Sequence, residues 1–446
     1  MKADGQSRPA AIAWIRLGEV TEMLSGGTPS KARSDYWSGD IPWVSAKDMK
    51  QRRLVDAEDH ITTSGLANGS KLAPANATLI LVRGMTLLDD IPICSLSREV
   101  AFNQDVKAIV PKRVIEPRYL TYALLAAKPQ LLSMVQEAGH GTGTLPTDRL
   151  KNLEIPLPTK SEQCAVTEIL GGLDDKIELN RRMNETLEAM ARAIFKSWFV
   201  DFEPVRAKID GRWRRGQSLP GLPADLYDLF PDSFEDSELG GIPKDWGTTR
   251  LSDAFEINPP RSLSAGAVSP YLDMANMPTN SPRPLGRVDR AFTSGMKFIN
   301  GDTLVARITP CLENGKTAFV DFLEDGQVGW GSTEYIVLRS KPPLPLEFSY
   351  FLARSYDFRA HAIANMSGTS GRQRVPVSCF DSYLVVVPLA PIAESFGRLV
   401  QPIMTVIKHH DEESRTLAEM RDRLLPKLIS GKLRVREAGQ LVKEAV

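Results

Sequence analysis

Cysteine is too scarce in this chain to build a scaffold. The four present among 446 residues, Cys94, Cys164, Cys311 and Cys379, lie far apart with no CxxC pair. That distribution argues against a zinc ribbon and a disulfide framework, and it fits a reducing cytoplasm. Histidine is equally thin: His60, His140, His361, His409 and His410 show no ligand spacing, and a helix would point the rings of the adjacent pair about 100° apart. Net charge is absent, because 55 Lys and Arg balance 55 Asp and Glu. No global basic field announces a polyanion, so any such contact must come from local patches. Long apolar runs are missing too. Stretches such as Tyr383 to Val387 fall far short of the roughly 20 residues of a membrane span, and polar Asp4, Gln6, Ser7 and Arg8 precede any apolar segment. Neither secretion nor membrane insertion is expected. What remains, with 42% hydrophobic and 25% charged residues, is the composition of a soluble globular protein of several domains.

The chain repeats itself once. Displacement by about 230 positions lays Pro42-Trp43-Val44 and Asp48-Met49 on Pro270-Tyr271-Leu272 and Asn276-Met277. Downstream, Thr78-Leu79 with Arg83 falls on Thr303-Leu304 with Arg307, and Asn103-Gln104-Asp105 on Ser332-Thr333-Glu334. Pro117 with Tyr122 matches Pro345 with Tyr350, and Pro146 and Pro158 match Pro376 and Pro388. Thr186-Leu187, Met190, Ile194 and Trp198 then match Thr416-Leu417, Met420, Leu424 and Leu428. An ordered series across both halves points to duplication of one unit.

Each unit has two textures. Residues 12–158 and 244–390 hold short β-rich runs (Thr78 to Val82, Val106 to Val110, Thr303 to Ala306, Tyr335 to Leu338) broken by Gly, Pro, Asn and Asp, with one helix each at Tyr119 to Ala127 and Phe348 to Ser355. From Ser161 the pattern changes: Ile169, Leu173, Ile177, Leu187, Met190, Ile194 and Trp198 follow three-or-four spacing, and Leu399, Ile403, Ile407, Leu417, Met420 and Leu424 repeat the theme. Pro402 and Pro426 should limit or kink this second helix. Two long amphipathic helices can satisfy each other as an antiparallel coiled coil whose polar residue Asn184 fixes register. The rod would be roughly 55 Å long, with a globular head at each end. The expected class is mixed α/β: two similar heads separated by the two helices, with pseudo-two-fold symmetry. The expected boundaries are 1–158 and 244–390 for the heads, 159–200 and 391–430 for the helices, 201–243 for a Pro- and Gly-rich linker, and 431–446 for a tail.

Two strings imitate catalytic motifs. Ile257-Asn258-Pro259-Pro260-Arg261 is close to the Asn-Pro-Pro-aromatic motif of adenine methyltransferases, but Arg261 replaces the base-stacking ring and no glycine-rich cofactor loop accompanies it, so a turn is expected. Gly315-Lys316-Thr317 copies the end of a phosphate-binding loop, yet Pro310 stands where that loop needs glycine. No nucleophile or acid/base constellation can be assembled.

A resemblance is carried by Ser197-Trp198-Phe199-Val200-Asp201-Phe202-Glu203-Pro204, Phe230-Pro231-Asp232-Ser233-Phe234, Glu238-Leu239-Gly240 and Ile242-Pro243 before Trp246. Gly26-Gly27-Thr28-Pro29-Ser30 with Tyr36-Trp37, Ile41-Pro42-Trp43-Val44, Gly301-Asp302-Thr303-Leu304-Val305, and Ile155-Pro156-Leu157-Pro158 before Glu162-Gln163 add to it. In order, these segments resemble the specificity subunits of type I restriction-modification systems. The second helix departs from the pattern, since Glu394-Ser395 replaces the Glu-Gln pair. The resemblance implies a non-catalytic DNA reader in the cytoplasm, each target-recognition domain reading one half of a bipartite asymmetric site on double-stranded DNA. It implies two modification subunits that carry S-adenosylmethionine, restriction and translocase subunits that use ATP and magnesium, and no cofactor or metal in this chain. The alternatives are a stand-alone adenine methyltransferase built on Asn258 and a coiled-coil adaptor that does not bind DNA.

Reading DNA needs phosphate contacts that position and base contacts that specify. The first-head candidates are Thr28, Ser30, Lys31, Arg33, Ser45, Lys47, Lys50, Arg83, Asn103 and Gln104, with Arg52 and Arg53 beside them; the second-head candidates are Arg261, Asn276, Arg307, Lys316, Ser332, Thr333, Arg372 and Arg374. Any of them could instead be solvated surface, and the matched pair Arg83 and Arg307 could brace the fold. Trp43 and Tyr271 are expected in the core. Two heads on one rod would meet the groove at a fixed separation, about 34 to 36 Å for one helical turn.

Overall fold

The computed structural model describes residues 12–138, 141–369 and 371–445. His140 and the polar stretch from Asp4 to Arg8 lie outside them. The chain divides into two compact units, Met1–Ile177 with Arg415–Val446, and Glu178–Ser414. Each contains one head and one end of each long helix.

The β-branched runs form two main sheets in each head. In the first, one sheet has the order Thr21–Ser25, Val106–Pro111, Thr78–Leu81, Ile93–Leu96, Arg53–Leu54. The other runs Asp59–Ile61, Trp37–Val44, Val100–Phe102, Leu72–Ala73. The second head repeats this plan with one strand fewer, since the first sheet has no counterpart of Arg53–Leu54: Phe255–Ile257, Tyr335–Ser340, Thr303–Ala306, Thr317–Phe319 in one sheet, and Val288–Ala291, Val268–Leu272, Gly329–Gly331, Met296–Phe298 in the other. The match extends to strand direction. The second sheet of each head has one parallel pair, with Trp43 opposite Ala101 in one and Tyr271 opposite Trp330 in the other. Trp43 is buried, whereas Tyr271 is half-buried and packs on Trp330 with ring centroids 4.4 Å apart.

Duplication also reaches the polar core. Thr78 and Thr121 share a buried hydroxyl hydrogen bond of 2.7 Å, and the matching Thr303 and Ser349 share one of 2.7 Å. Each pair joins the central strand of a sheet to the helix that covers it. Left unpaired, either hydroxyl would be costly there.

The long helices are Lys160–Phe199 and Ala390–Ile429, 40 residues each. Thr159 and Glu162 start the first reciprocally: the Thr159 N–H donates to the Glu162 carboxylate at 3.0 Å and the Thr159 hydroxyl reaches it at 2.7 Å. Gln163 is buried, accepting from the Glu116 N–H at 2.8 Å and donating to the Pro158 carbonyl at 2.9 Å, so the head is fastened to the helix at its first turn. At the second helix Ser395 turns its hydroxyl back to the Pro391 carbonyl at 2.6 Å, a local bond that cannot replace that link.

Within the first unit, Val166, Leu170 and Leu173 share a core with Leu417, Leu424, Leu425 and Leu428, and Arg421 donates to Asp174 at 2.6 Å. Within the second, Ala191, Phe195, Trp198 and Phe199 pack with Ile392, Phe396, Val400, Met404 and Ile407. Asn180, fully buried, donates to Glu413 at 2.7 Å, and Asn184 donates to the Ile407 carbonyl at 3.2 Å while its own oxygen meets His410 Nδ1 at 2.9 Å. Partners descend along one helix as they ascend along the other, so the helices are antiparallel. A displaced register would strand these amides, which is how polar seam residues specify pairing.

Two expectations are corrected. Met190 is 53% exposed, because the buried face of that stretch runs through Ala191, Phe195 and Trp198. Pro402 and Pro426 do not end the second helix, which continues through both; each removes one hydrogen bond from a helix whose neighbouring residues Val400, Met404, Leu424 and Leu428 are buried. The segment 201–243 is folded chain. It folds as a helix (Glu203–Ile209), a 3-10 turn (Ala224–Leu229) and a hairpin (Phe234–Ser237 with Gly240–Pro243), with Trp213 only 1% exposed and Phe230 packed on Trp198 at 5.0 Å. After the second helix, Val435–Ala445 is a further helix whose Ala438 is buried. No helix among the described residues is long and apolar enough to cross a membrane.

Candidate nucleic-acid interface

In the first head the buried strand Thr78–Leu81 leaves the core at Val82, and Arg83–Gly84 becomes the edge of a ribbon with Thr142–Thr144 and Gln136–Ala138. The Val82 and Arg83 N–H groups both donate to the Asp105 carbonyl, at 2.8 and 3.3 Å. The loop carrying Asp105 is itself pinned, since Asn103 Oδ1 accepts the Asp105 N–H at 3.1 Å. Beside it the Thr28 hydroxyl donates to Gln104 Oε1 at 2.6 Å. The backbones approach closely here: a Cβ on Gly26 would lie 2.1 Å from the Phe102 carbonyl oxygen, so only glycine fits. The fold thus gathers Thr28, Arg83, Asn103 and Gln104 beside Thr142 and Thr144. Sequence reasoning missed those two threonines, for want of an apolar alternation, although Gly141 and Gly371 lie at the repeat offset.

The second head builds the same edge with other side chains. The Arg307 N–H donates to the Glu334 carbonyl at 3.0 Å, and the Glu334 N–H to Ser332 Oγ at 3.1 Å. Asn103 and Ser332 therefore do the same job, bracing the loop. Arg374 lies against Glu334, with Nε donating at 2.8 Å and Nη2 at 2.7 Å. Arg372 and Thr333 are exposed, while Arg307 Nε is buried without a hydrogen-bond partner among the described residues. One register step separates the heads. The Leu145 N–H donates to the Val82 carbonyl, whereas the matching Val375 N–H donates to Arg307, one residue further on. A one-residue step turns side chains to opposite faces, so Arg374 is not presented as Thr144 is.

The remaining candidates are scattered. Ser30, Lys31 and Lys50 are exposed. Arg33 is held by Asp35 at 2.8 Å and lies over the Tyr36 ring. Ser45 forms a reciprocal cap with Asp48, and Lys47 bridges Asp59 at 3.0 Å and Glu58 at 3.1 Å, Asp59 foremost in raising the pKa of its ammonium. Arg52 pairs with Asp422 and Arg53 with Asp175. Asn276 bonds Asp273 at 3.0 Å, and Lys316 Nζ donates to the nearby Met274 carbonyl at 2.6 Å. Arg261 reaches the fully buried Asp302 at 3.1 Å, alongside Arg339 at 2.8 Å. That places it in the head's internal wiring rather than on the edge.

Asn258, the residue of the methyltransferase-like string, has φ +52° and accepts the Val337 N–H on its Oδ1 at 2.9 Å, a turn position that occupies the amide. Among the described residues, no group of three or more His, Cys, Asp or Glu is placed to hold a metal. What the two edges offer is a set of donors on rigid supports, with an arginine common to both and different residues beside it.

Residues 12–189 match the family model described as the type I restriction modification DNA specificity domain. The chain is 26% identical over 442 residues to the type I restriction enzyme MjaIX specificity subunit of Methanocaldococcus jannaschii, covering 95% of this chain and 93% of that protein. It is 32% identical over 187 residues to the EcoR124I/EcoR124II specificity subunit of Escherichia coli, covering 39% and 46%. Among solved structures, the S subunit of a type I restriction-modification system from M. genitalium superposes with a TM-score of 0.50 at 13% identity, covering 96% of this chain and 98% of that one. This last likeness concerns the fold.

Proposed function

This chain belongs to the family of type I restriction-modification specificity subunits, and from that premise we propose that each head reads one half of a bipartite, asymmetric site on double-stranded DNA. The chain itself performs no chemistry. Two modification subunits carrying S-adenosylmethionine methylate adenine at the site, restriction and translocase subunits using ATP and magnesium complete the complex, and the assembly works in the cytoplasm. The observation that carries this reading is the edge built at the same place in both heads around a matched arginine with different neighbours: Thr142 and Thr144 beside Arg83 in one, Arg372 and Arg374 beside Arg307 in the other. Equal scaffolds with unequal donors are what two unlike half-sites require, since direct readout depends on which donors and acceptors meet the base edges.

Contacts to DNA are assigned to the exposed donors of these edges, Thr28, Arg83, Gln104, Thr333, Arg372 and Arg374, with Ser30, Lys31 and Lys50 in range of phosphate. Asn103, Ser332 and Arg261 act behind them. The test is to map methylated adenines genome-wide with and without this gene, then with residues 12–158 replaced by the head of a relative. Loss of a split motif on deletion, and a change in one half only on replacement, is the expected result. A replacement that rewrote both halves would refute independent heads.

A further inference from the structure

We infer that Arg374 and Glu334 form a guanine-reading device in the second head, Arg374 making the base contact and Glu334 aiming it; this rests on the DNA-reading function proposed above. A guanidinium has five N–H donors in a rigid plane, arranged as two forks: a side fork of Nε and one Nη, and an outer fork of the two Nη groups. Glu334 fills the side fork, accepting from Nε at 2.8 and 3.0 Å and from Nη2 at 2.7 Å. Nη1 leans on the Arg372 carbonyl at 3.4 Å. The outer fork is left directed away from the carboxylate, on a side chain that is 47% exposed against a Glu334 that is 23% exposed.

An outer fork of this kind matches O6 and N7 of guanine, the two acceptors that only a G·C pair sets side by side in the major groove. Rigid attachment matters as much as the donors do. A free surface arginine loses side-chain entropy on binding and can follow a phosphate as readily as a base; one fixed by two charge-assisted bonds has lost much of that freedom beforehand. Glu334 is itself fixed, its N–H held by Ser332 and its carbonyl by the Arg307 N–H, so the aim is set by the loop rather than by a lone side chain. The first head lacks the device. Asp105 stands at the Glu334 position, but the residue matching Arg374 is Thr144, opposite Arg83 across the ribbon. The device therefore reads a guanine in the half of the site that the second head meets.

The experiment uses the full chain in complex with its modification subunits and a pool of duplexes carrying a randomised segment, with bound molecules sequenced. The wild-type complex is expected to select a split motif containing a guanine in one half. Arg374→Ala and Arg374→Lys should each lose preference at that one position by about tenfold to a hundredfold while the other half is unchanged. Lysine keeps the charge but not the fork, and so serves as the folded control should alanine disturb the edge. Glu334→Gln should relax the same position by a smaller factor. A motif unaltered by both Arg374 variants would overturn the assignment, as would uniform weakening across all sequences with a shallower salt dependence, the mark of a phosphate contact. A wild-type complex that selected no motif would instead overturn the proposed function.

Discussion

Asp302 is the most exacting place to separate residues that hold the second head together from residues that face DNA. Its carboxylate is fully buried and accepts from Arg339 at 2.8 Å, from Arg261 at 3.1 Å and from the Ile299 N–H at 2.9 Å. Asp302→Ala would leave two guanidinium groups without their common anion and one N–H without its acceptor. Removing one partner of a buried charge cluster costs about 3–5 kcal/mol. Arg261 and Arg339 are 17% and 23% exposed, so water can partly replace the carboxylate and the lower end, about 3 kcal/mol, is expected. In a unit of this size that corresponds to a drop in Tm of roughly 6–12 °C. Arg261→Met removes one of the two cations and should cost less, about 1–2 kcal/mol, and it should leave the recognised sequence as it was. Thermal unfolding of the full chain together with motif mapping measures both. If Arg261→Met melted like the wild type but altered the motif, Arg261 would be a DNA contact and the reasoning that places it in the interior would fall.

Leu417→Asp should bury an unpaired charge in the first unit's core, where Leu417 is 2% exposed, and lower its stability by several kcal/mol; a variant melting normally would refute the packing of that helix. Thr78→Val and Thr303→Val should each cost about 1 kcal/mol by removing the shared hydroxyl bond, since Thr121 and Ser349 keep their bonds to the Pro117 and Leu346 carbonyls, and chemical denaturation that found either variant as stable as the wild type would refute the contribution of that bond. Arg181, first, and then Arg182 hydrogen-bond Glu178 and hold its carboxyl below the ordinary value of 4.5. Since that pKa is depressed on folding, the contribution is complete above about 4.5 and disappears as pH falls through the lower folded value. Glu178→Gln should therefore cost under about 1 kcal/mol at neutral pH, with the difference from wild type closing in acid; a difference that widened in acid would reverse the assignment.

Much of the architecture was legible because duplication writes it twice. A strand pattern too short to trust alone gains weight when Thr78-Leu79 and Thr303-Leu304 recur at one offset, and the long helices announce themselves through a spacing that turns cannot imitate. Asn184 was readable as a seam residue for the same reason, an amide on an apolar face. The edge ribbon was less visible, since Gln136 to Thr144 has no alternation and depends on Arg83–Gly84 more than 50 residues earlier. Which polar residues are free to meet a ligand was hidden altogether. Nothing near Arg261 in the sequence reveals Asp302, nothing near Lys47 singles out Asp59, and a serine at 332 looks like an exposed donor until its oxygen is seen holding the Glu334 N–H. Pairing across long sequence separation decides such cases, and a local pattern does not contain it.

The division of the chain has a consequence for how the protein is made. Leu417, Leu424, Leu425 and Leu428 complete the core of the unit that opens the sequence, whereas the second unit is continuous from Glu178 to Ser414. On the ribosome the later unit has all its parts first. The earlier head must wait with Val166, Leu170 and Leu173 uncovered until the closing helix emerges, an interval of some tens of seconds at about 5–20 residues per second. During that time it exposes apolar surface of the kind that chaperones hold. A released chain ending shortly after Ser414 would carry every part of the second unit and an uncovered first one, so the half made first is the half completed last.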